Sequence, residues 1–393
     1  MNDTTTSRLS TWMQYISQSA YSRILGLFLC SRIILFLITY VGYILLTAPK
    51  YSSLRVPFSV LLNVWNRWDA SNYIRYAQVG YPTIYDYAFF PFYPLSIHLI
   101  AQFTGNYLLV AMLLSNLATL VALIIIYFLA VDIAGEHIRY RSIFYLCIFP
   151  TAFFLFAAYN ESFFLVFSAG AILAMRRRVW LVAGLLGAFA SATRPAGLLL
   201  VLPYLCEWWL ARDKEAGFLS VRRFLQLVPI CLVPVGILLY SIYCWRVTGN
   251  PLAFAAAQVR WGRQTTLPWE GIVLSFRQLL FVQPFGSFFQ IHILLDLSAT
   301  LGFILLTALG WRRVPLSYTL WSASGLLLVL LSSSPAGDSL ASNQRIVLEL
   351  FPGFITLALL GKQRAWLHQA ILLFFPSLLA VLSLVFIMNR WMV

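Results

Sequence analysis

The sequence predicts an all-α, polytopic membrane protein, and three observations carry that prediction. Of 393 residues, 61% are hydrophobic and only 10% are charged, and the mean hydropathy is +0.82. A soluble domain is about 45–50% apolar and about 25% charged. Apolar runs near ~20 residues, the length that crosses a bilayer as a helix, recur along the whole chain. These runs do not alternate apolar with polar residues, which argues against a membrane barrel. The same numbers exclude a soluble globular protein, a disordered chain and a disulfide scaffold.

Taken in order, Met1 to Ser22 is polar and lacks the apolar core and small-residue cleavage site of a signal peptide. The first long apolar run, 24–47, is therefore expected to remain as a helix. Further spans are expected near 107–131, 142–157, 161–175, 179–193, 195–211, 225–246, 291–310, 315–333, 346–360 and 367–388, making eleven, of which the fourth to sixth are short. No internal repeat, inverted pair of halves or low-complexity tract is visible. Cys30, Cys147, Cys206, Cys231 and Cys244 lie in or at the ends of apolar runs without CxxC spacing and read as free packing thiols.

Charge orients the spans. The net charge is +14, which in a soluble protein would suggest nucleic acid but here reflects topology. With the N-terminus inside, the inner segments 1–23, 132–141, 176–178, 212–224, 311–314 and 361–366 hold 15 of the 27 Lys and Arg, and the outer segments hold 11. That is about one residue in four inside against about one in eleven outside, as the positive-inside rule requires. The clusters Arg176-Arg177-Arg178, Arg222-Arg223 and Arg312-Arg313 each sit at a span end and serve as topology anchors.

Two long loops, 49–105 and 247–290, are thereby placed outside. Both are rich in Trp, Tyr, Phe and Pro, which suits segments lying at the membrane interface. Within the first, Pro91 to Phe103 is apolar but too short to span and reads as a re-entrant or interfacial helix. The whole chain is read as one transmembrane domain, with these two loops as a cap over the site.

Polar groups at membrane depth are costly, so they are functional candidates by default. The densest group is Asn66 to Pro82. From Asp69 to Gln78 the spacing suits a short helix, with Asp69 either its N-cap, satisfying orphan N–H groups, or a catalytic carboxylate. Glu161 is either a first-turn charge favoured by the helix dipole or a second carboxylate that orients an acceptor, and Asp86 stands similarly. Glu349 lies four residues after Arg345, so the two are expected to pair on one helix face. Asp296 and Arg32 lie inside spans and are expected to face protein and pair. His98, His137, His292 and His368 are dispersed, no His/Cys/Asp cluster has ligand spacing, and DxD, GxGxxG and GxxxxGKS motifs are absent. No metal, cofactor or nucleic-acid partner is expected.

The run Arg67-Trp68-Asp69-Ala70, then Tyr73, Gly80-Tyr81 and Ala88-Phe89-Phe90-Pro91-Phe92-Tyr93-Pro94 resembles the PIG-V family of mannosyltransferases, within the GT-C superfamily. Tyr159-Asn160-Glu161-Ser162-Phe163-Phe164, Thr193-Arg194-Pro195-Ala196-Gly197 and Arg345 to Pro352 are similar to later segments of that family, in the same order. The family often has His where this chain has Asn72, so no His-dependent step transfers. The resemblance implies a GT-C-type bundle of about eleven helices with two long outward loops. It implies a polyprenyl-phosphate mannose donor, a hydroxyl acceptor on a glycan, lipid or protein, and a catalytic carboxylate in the first outer loop, where Asp69 matches. It also marks Arg67, Trp68, Asn72, Tyr73, Asp86, Glu161, Arg194 and Arg345 as candidate substrate-binding residues.

The chemistry is consistent with one carboxylate. Inversion at an anomeric carbon requires a base on the acceptor side only. A phosphate leaves as a stabilised anion and is helped by preplaced positive charge, for which the guanidinium fork is suited. Outer candidates are Arg67, Arg75, Arg194, Arg246, Arg260, Arg263 and Arg345, with Arg194 and Arg345 favoured because they sit at outer span ends. The competing readings are a transporter or flippase for lipid-linked sugars, which should carry midplane charges on broken helices and paired halves, and a non-catalytic scaffold. Short inner loops and the absence of a retention signal favour a prokaryotic cell membrane over the endoplasmic reticulum.

Overall fold

Most long apolar stretches fold as single helices and most helices stop at polar residues or prolines, but Pro376 lies inside the helix Ala365–Ile387. The computed structural model describes residues 18–47, 56–131, 133, 135–211, 221–334 and 338–390. The polar segment 1–17, the start of the first long loop (48–55) and most of the inner segment 212–224 lie outside the described residues.

In chain order the helices are α1 (Gln18–Thr47), α2 (Phe58–Asn63), α3 (Asp69–Val79), α4 (Phe92–Thr104), α5 (Tyr107–Leu129), α6 (Glu136–Ile148), α7 (Glu161–Arg176), α8 (Trp180–Thr193), α9 (Val201–Leu210), α10 (Val221–Leu227), α11 (Val235–Thr248), α12 (Ala253–Ala256), α13 (Glu270–Arg277), α14 (Phe288–Gly310), α15 (Leu316–Leu330), α16 (Asn343–Ile346), α17 (Phe351–Gln363) and α18 (Ala365–Ile387). Two short strands, β1 (Gln264–Thr265) and β2 (Ser332–Ser333), pair antiparallel with Gln264 opposite Ser333. The molecule is an all-α, multi-pass membrane protein. Among the described residues five helical stretches are long and apolar enough to cross a bilayer: Ala20–Thr47, Tyr107–Leu129, Arg223–Thr248, Phe288–Gly310 and Ala365–Ile387. A sixth arises if α16 and α17, with the turn between them, form one span bent by 84°. Three of the remaining expected spans are shorter apolar helices: Trp180–Thr193, Pro195–Leu210 and Leu316–Leu330. Pro91 to Phe103 folds as the 13-residue α4, closed by Gly105 at φ 71°.

The core lies between α5, α6, α7, α8 and α17, with a dense aromatic centre. Trp65 packs edge-on against Phe156 at 4.8 Å and near Phe386 at 5.7 Å. Helices α8 and α11 approach closely because Gly236 has no side chain: a Cβ there would lie 2.2 Å from the Ala188 carbonyl oxygen. Small residues permit such contacts in membranes, where water does not drive helices together.

The expected span 142–157 is a helix only to Ile148; the chain then passes through a 3₁₀ turn, Ala152–Leu155, before α7 begins. Nonhelical backbone at membrane depth must be satisfied by protein. Polar residues on α5 do this: Ser115 Oγ donates to Tyr159 O at 2.8 Å, Asn116 Nδ2 to Phe156 O at 3.0 Å and Thr119 Oγ1 to Leu155 O at 2.9 Å. Arg32 Nη2 also donates to Leu155 O, at 3.1 Å.

The two long loops pack on each other. Tyr87 and Phe90 of the first share a buried cluster with Tyr240, Ala253 and Ala257, and Tyr240 donates its hydroxyl to Tyr87 O at 2.8 Å. Just before β1, Arg263 ties the second loop down by donating to Ser332 O (3.1 Å) and Ala341 O (3.0 Å).

Candidate active site

Four helix interruptions meet at one place, and each delivers a charged side chain. Trp68 takes the left-handed region, φ 53° and ψ −124°, and α3 starts at the next residue, Asp69. A bulky residue held at positive φ costs about 1–3 kcal/mol and is retained only where the surroundings impose it. Asp69 is thus the first residue of the helix and not its N-cap, and Trp68 makes no capping bond. Glu161 is the first residue of α7, after the 3₁₀ turn. Both carboxylates therefore sit at the positive end of a helix dipole. Arg194 ends α8 in an extended conformation, φ −153° and ψ 147°, because a residue preceding proline is driven out of the helical region. Arg345 lies in the short α16, and Glu349 in the following 3₁₀ turn just before the 84° bend.

These groups form a continuous chain of ion pairs. Arg345 Nη1 donates to Asp69 Oδ2 at 2.6 Å, and its Nε lies 3.0 Å from Glu161 Oε1. Arg194 Nη2 donates to the same Glu161 oxygen at 2.6 Å, and Arg194 Nη1 pairs with Glu349 Oε1. Asn160 Oδ1 accepts from Arg194 Nε and Nη2 at 3.1 and 2.8 Å. The Arg345 guanidinium also sits over the rings of Phe154 and Tyr159, 5.6 and 5.4 Å from their centroids. With every group ionised, three carboxylates face two guanidiniums, an excess of one negative charge. Buried charges persist only when paired and hydrogen-bonded, and removing one partner of such a pair costs about 3–5 kcal/mol. The side chain of Asp69 is 15% exposed, against 4% for Glu349 and 0% for Glu161. Asp69 is therefore the most exposed of the three carboxylates. Its Oδ1 makes no hydrogen bond among the described residues.

The other residues singled out in the sequence divide between this cluster and elsewhere. Tyr73, one turn after Asp69, is buried edge-on against Phe89 and Tyr93 at 5.2 and 5.1 Å. Trp68 is exposed, and Asn72 is half-buried beside it. Arg67 is half-buried, pairs with no carboxylate among the described residues, and has an unpartnered Nε.

Asp86 is apart from the cluster. It accepts from Arg75 Nη2 (2.7 Å), Tyr76 Oη (2.8 Å), Thr83 N (2.8 Å) and Thr83 Oγ1 (2.8 Å), closing the first loop on itself. Burial works against its charge, but the Thr83 and Tyr76 hydroxyls, the Thr83 amide and Arg75 outweigh it and hold the carboxyl below its ordinary value.

Two expected pairings are replaced. Glu349 pairs with Arg194 and not Arg345, because the α-helix gives way to a 3₁₀ turn after Ile346 and residues four apart no longer share a face. Arg32 and Asp296 make no ion pair among the described residues: Arg32 bonds backbone, as above, and Asp296 Oδ1 accepts from Gln344 N at 2.8 Å. Asp338 lies beside Asp296, and burial pushes the Asp338 carboxyl up. No group of three or more His, Cys, Asp and Glu suited to a metal ion occurs among the described residues. Sequence reasoning missed Asn160 and Glu349 as members of the cluster, and the polar stripe Ser115-Asn116…Thr119 in an otherwise apolar run was the available signal for the capped break.

Residues 14–244 match the family model described as mannosyltransferase (PIG-V). The human GPI alpha-1,6-mannosyltransferase 2 is 30% identical over 156 residues, covering 36% of this chain and 31% of the relative. Its Cricetulus griseus counterpart is 34% identical over 155 residues with the same coverage. The matched stretch thus spans under a third of the length of these relatives. An oligosaccharyltransferase from Archaeoglobus fulgidus, solved with an inhibitory peptide and a dolichol-phosphate, aligns over 96% of this chain and 57% of its own at 11% identity and a TM-score of 0.43.

Proposed function

Since the chain belongs to the PIG-V mannosyltransferase family, we propose that it is an inverting glycosyltransferase moving mannose from a polyprenyl-phosphate donor to a hydroxyl acceptor at the outer face of a prokaryotic cell membrane. The observation that carries this reading is Asp69, the most exposed carboxylate of a buried charge cluster, fixed by Arg345 at a strained helix start.

Asp69 takes the acceptor's proton through its unengaged oxygen while that hydroxyl attacks the anomeric carbon and the C–O bond to phosphate breaks. The lipid phosphate departs as an anion, and no acid is needed on that side. Arg345 and Arg194 direct their donors to carboxylates, so they serve chiefly to hold Asp69, Glu161 and Glu349 in place. The phosphate charge falls to cations that form no ion pair among the described residues: Arg67, two residues from the base, and Arg263, which gives two donors to backbone carbonyls and lies within electrostatic reach of Arg345, Arg194, Asp296 and Asp338. The two long loops, packed on one another, close the site from outside, and Asp86 stiffens the first of them.

The test is turnover by the purified chain in detergent. Given polyprenyl-phosphate mannose and a panel of hydroxyl acceptors, it releases polyprenyl phosphate and a product of inverted anomeric configuration. Transfer from a nucleotide-linked mannose instead, or none from the lipid-linked sugar, contradicts the reading.

A further inference from the structure

Gln344 occupies an unusual position one residue before the arginine that holds Asp69. Its backbone is pinned on both sides: the N–H donates to Asp296 Oδ1 at 2.8 Å, and the carbonyl accepts from Thr151 Oγ1 at 2.6 Å. Its side chain is 97% buried, since only 3% of the residue is accessible, yet neither Oε1 nor Nε2 has a hydrogen-bond partner among the described residues. Its neighbours in α16 contrast with it. Asn343 Nδ2 donates to Thr300 Oγ1 at 2.9 Å, and Arg345 Nη1 donates to Asp69 Oδ2 at 2.6 Å. A buried amide that lacks both an acceptor's and a donor's partner is destabilising, and such costs are kept where function requires them.

We propose that Gln344 determines specificity by hydrogen-bonding hydroxyls of the transferred sugar. An amide presents an acceptor and a two-proton donor side by side. A sugar hydroxyl both donates and accepts, so two neighbouring hydroxyls satisfy the amide completely. An apolar lipid chain does not, and phosphate oxygens satisfy only the donor half. The rigid backbone of α16 fixes this amide and Arg345 in one frame, which couples the placement of the sugar to that of the base. The proposal rests on the glycosyltransferase reading given above.

The test uses Gln344→Met, which keeps the side chain's length and removes both polar atoms. With polyprenyl-phosphate mannose as donor, the KM for the donor rises about 10–100-fold, the loss of two hydrogen bonds. Inhibition by bare polyprenyl phosphate and the KM for the acceptor stay within about twofold. In detergent the variant melts at or above the wild type, because unsatisfied polar atoms have been replaced by apolar ones. An unchanged donor KM, an equal loss of affinity for bare polyprenyl phosphate, or a loss confined to the acceptor overturns the assignment. So does a lower melting temperature or failure to fold, either of which shows that the amide is satisfied within the protein; this comparison needs no turnover. Inactivity of the wild type counts against the glycosyltransferase reading, whereas an active wild type matched by the variant counts only against Gln344.

Discussion

Single residues divide here by what their charges face. Asp69 and Asp86 are both acidic residues in the first long loop, and in the sequence only the family resemblance, which matches Asp69 to the expected catalytic position, separates them. The structure separates them by their partners. Asp86 is enclosed by four donors within its own loop, whereas Asp69 reaches across the chain to Arg345, 276 residues away. The motif residues around Asp69, Glu161, Arg194 and Arg345 were legible as candidates because charges are rare in so apolar a chain. Their pairing was not, since ion pairs across such separations leave no periodicity to read. Asp86→Asn should lower the stability of the folded chain by about 1–3 kcal/mol, the worth of hydrogen bonds to a charged group. The sign with pH follows from its depressed pKa. Its stabilisation is complete above the ordinary carboxylate value near 4 and is lost as pH falls through the lower folded value. Melting in detergent should therefore show the full gap between wild type and variant at neutral pH and a shrinking gap below about pH 4.

At the scale of elements, the recurring device is the interrupted helix. The sequence set a span boundary at Arg194, before Pro195, but expected one span over 346–360 where the chain bends ahead of Pro352, and it gave no sign of the turn at Ala152–Leu155 or of the strained Trp68. In the first case an apolar run hides a 3₁₀ turn whose carbonyls are satisfied by Ser115, Asn116 and Thr119 from another helix. In the second, no glycine or proline marks the positive φ of Trp68. Close helix contact has the same origin. Gly236→Ala puts a methyl group 2.2 Å from the Ala188 carbonyl oxygen and 2.4 Å from Ala192 N, so α8 and α11 must separate. A loss of about 1–3 kcal/mol is expected. Gly26→Ala, in open space on α1, should melt no lower than the wild type because alanine favours helix.

For the molecule as a whole, composition alone identified the membrane class, and apolar run length located most helices. Run length exceeded helix length where spans are broken or short, which is why, among the described residues, five of the eleven expected runs fold as helices long enough to cross, a sixth corresponds to the bent pair and the others fold as shorter helices. The basic clusters suggest an orientation that chemical labelling can test. A cysteine replacing the exposed Val259 in the second long loop should react with a membrane-impermeant maleimide on intact cells. One replacing Lys362 should react only after permeabilisation. The reverse pattern would place the charge cluster on the cytosolic side and remove the proposed donor from its reach. The central claim is that Asp69 removes the proton of the acceptor, and its most direct test is the rate of mannose transfer from polyprenyl-phosphate mannose by Asp69→Asn. That rate should fall by about 10²–10⁴, the usual contribution of a general base, with melting in detergent showing that the variant remains folded. A folded variant that transfers mannose at the wild-type rate would contradict the account.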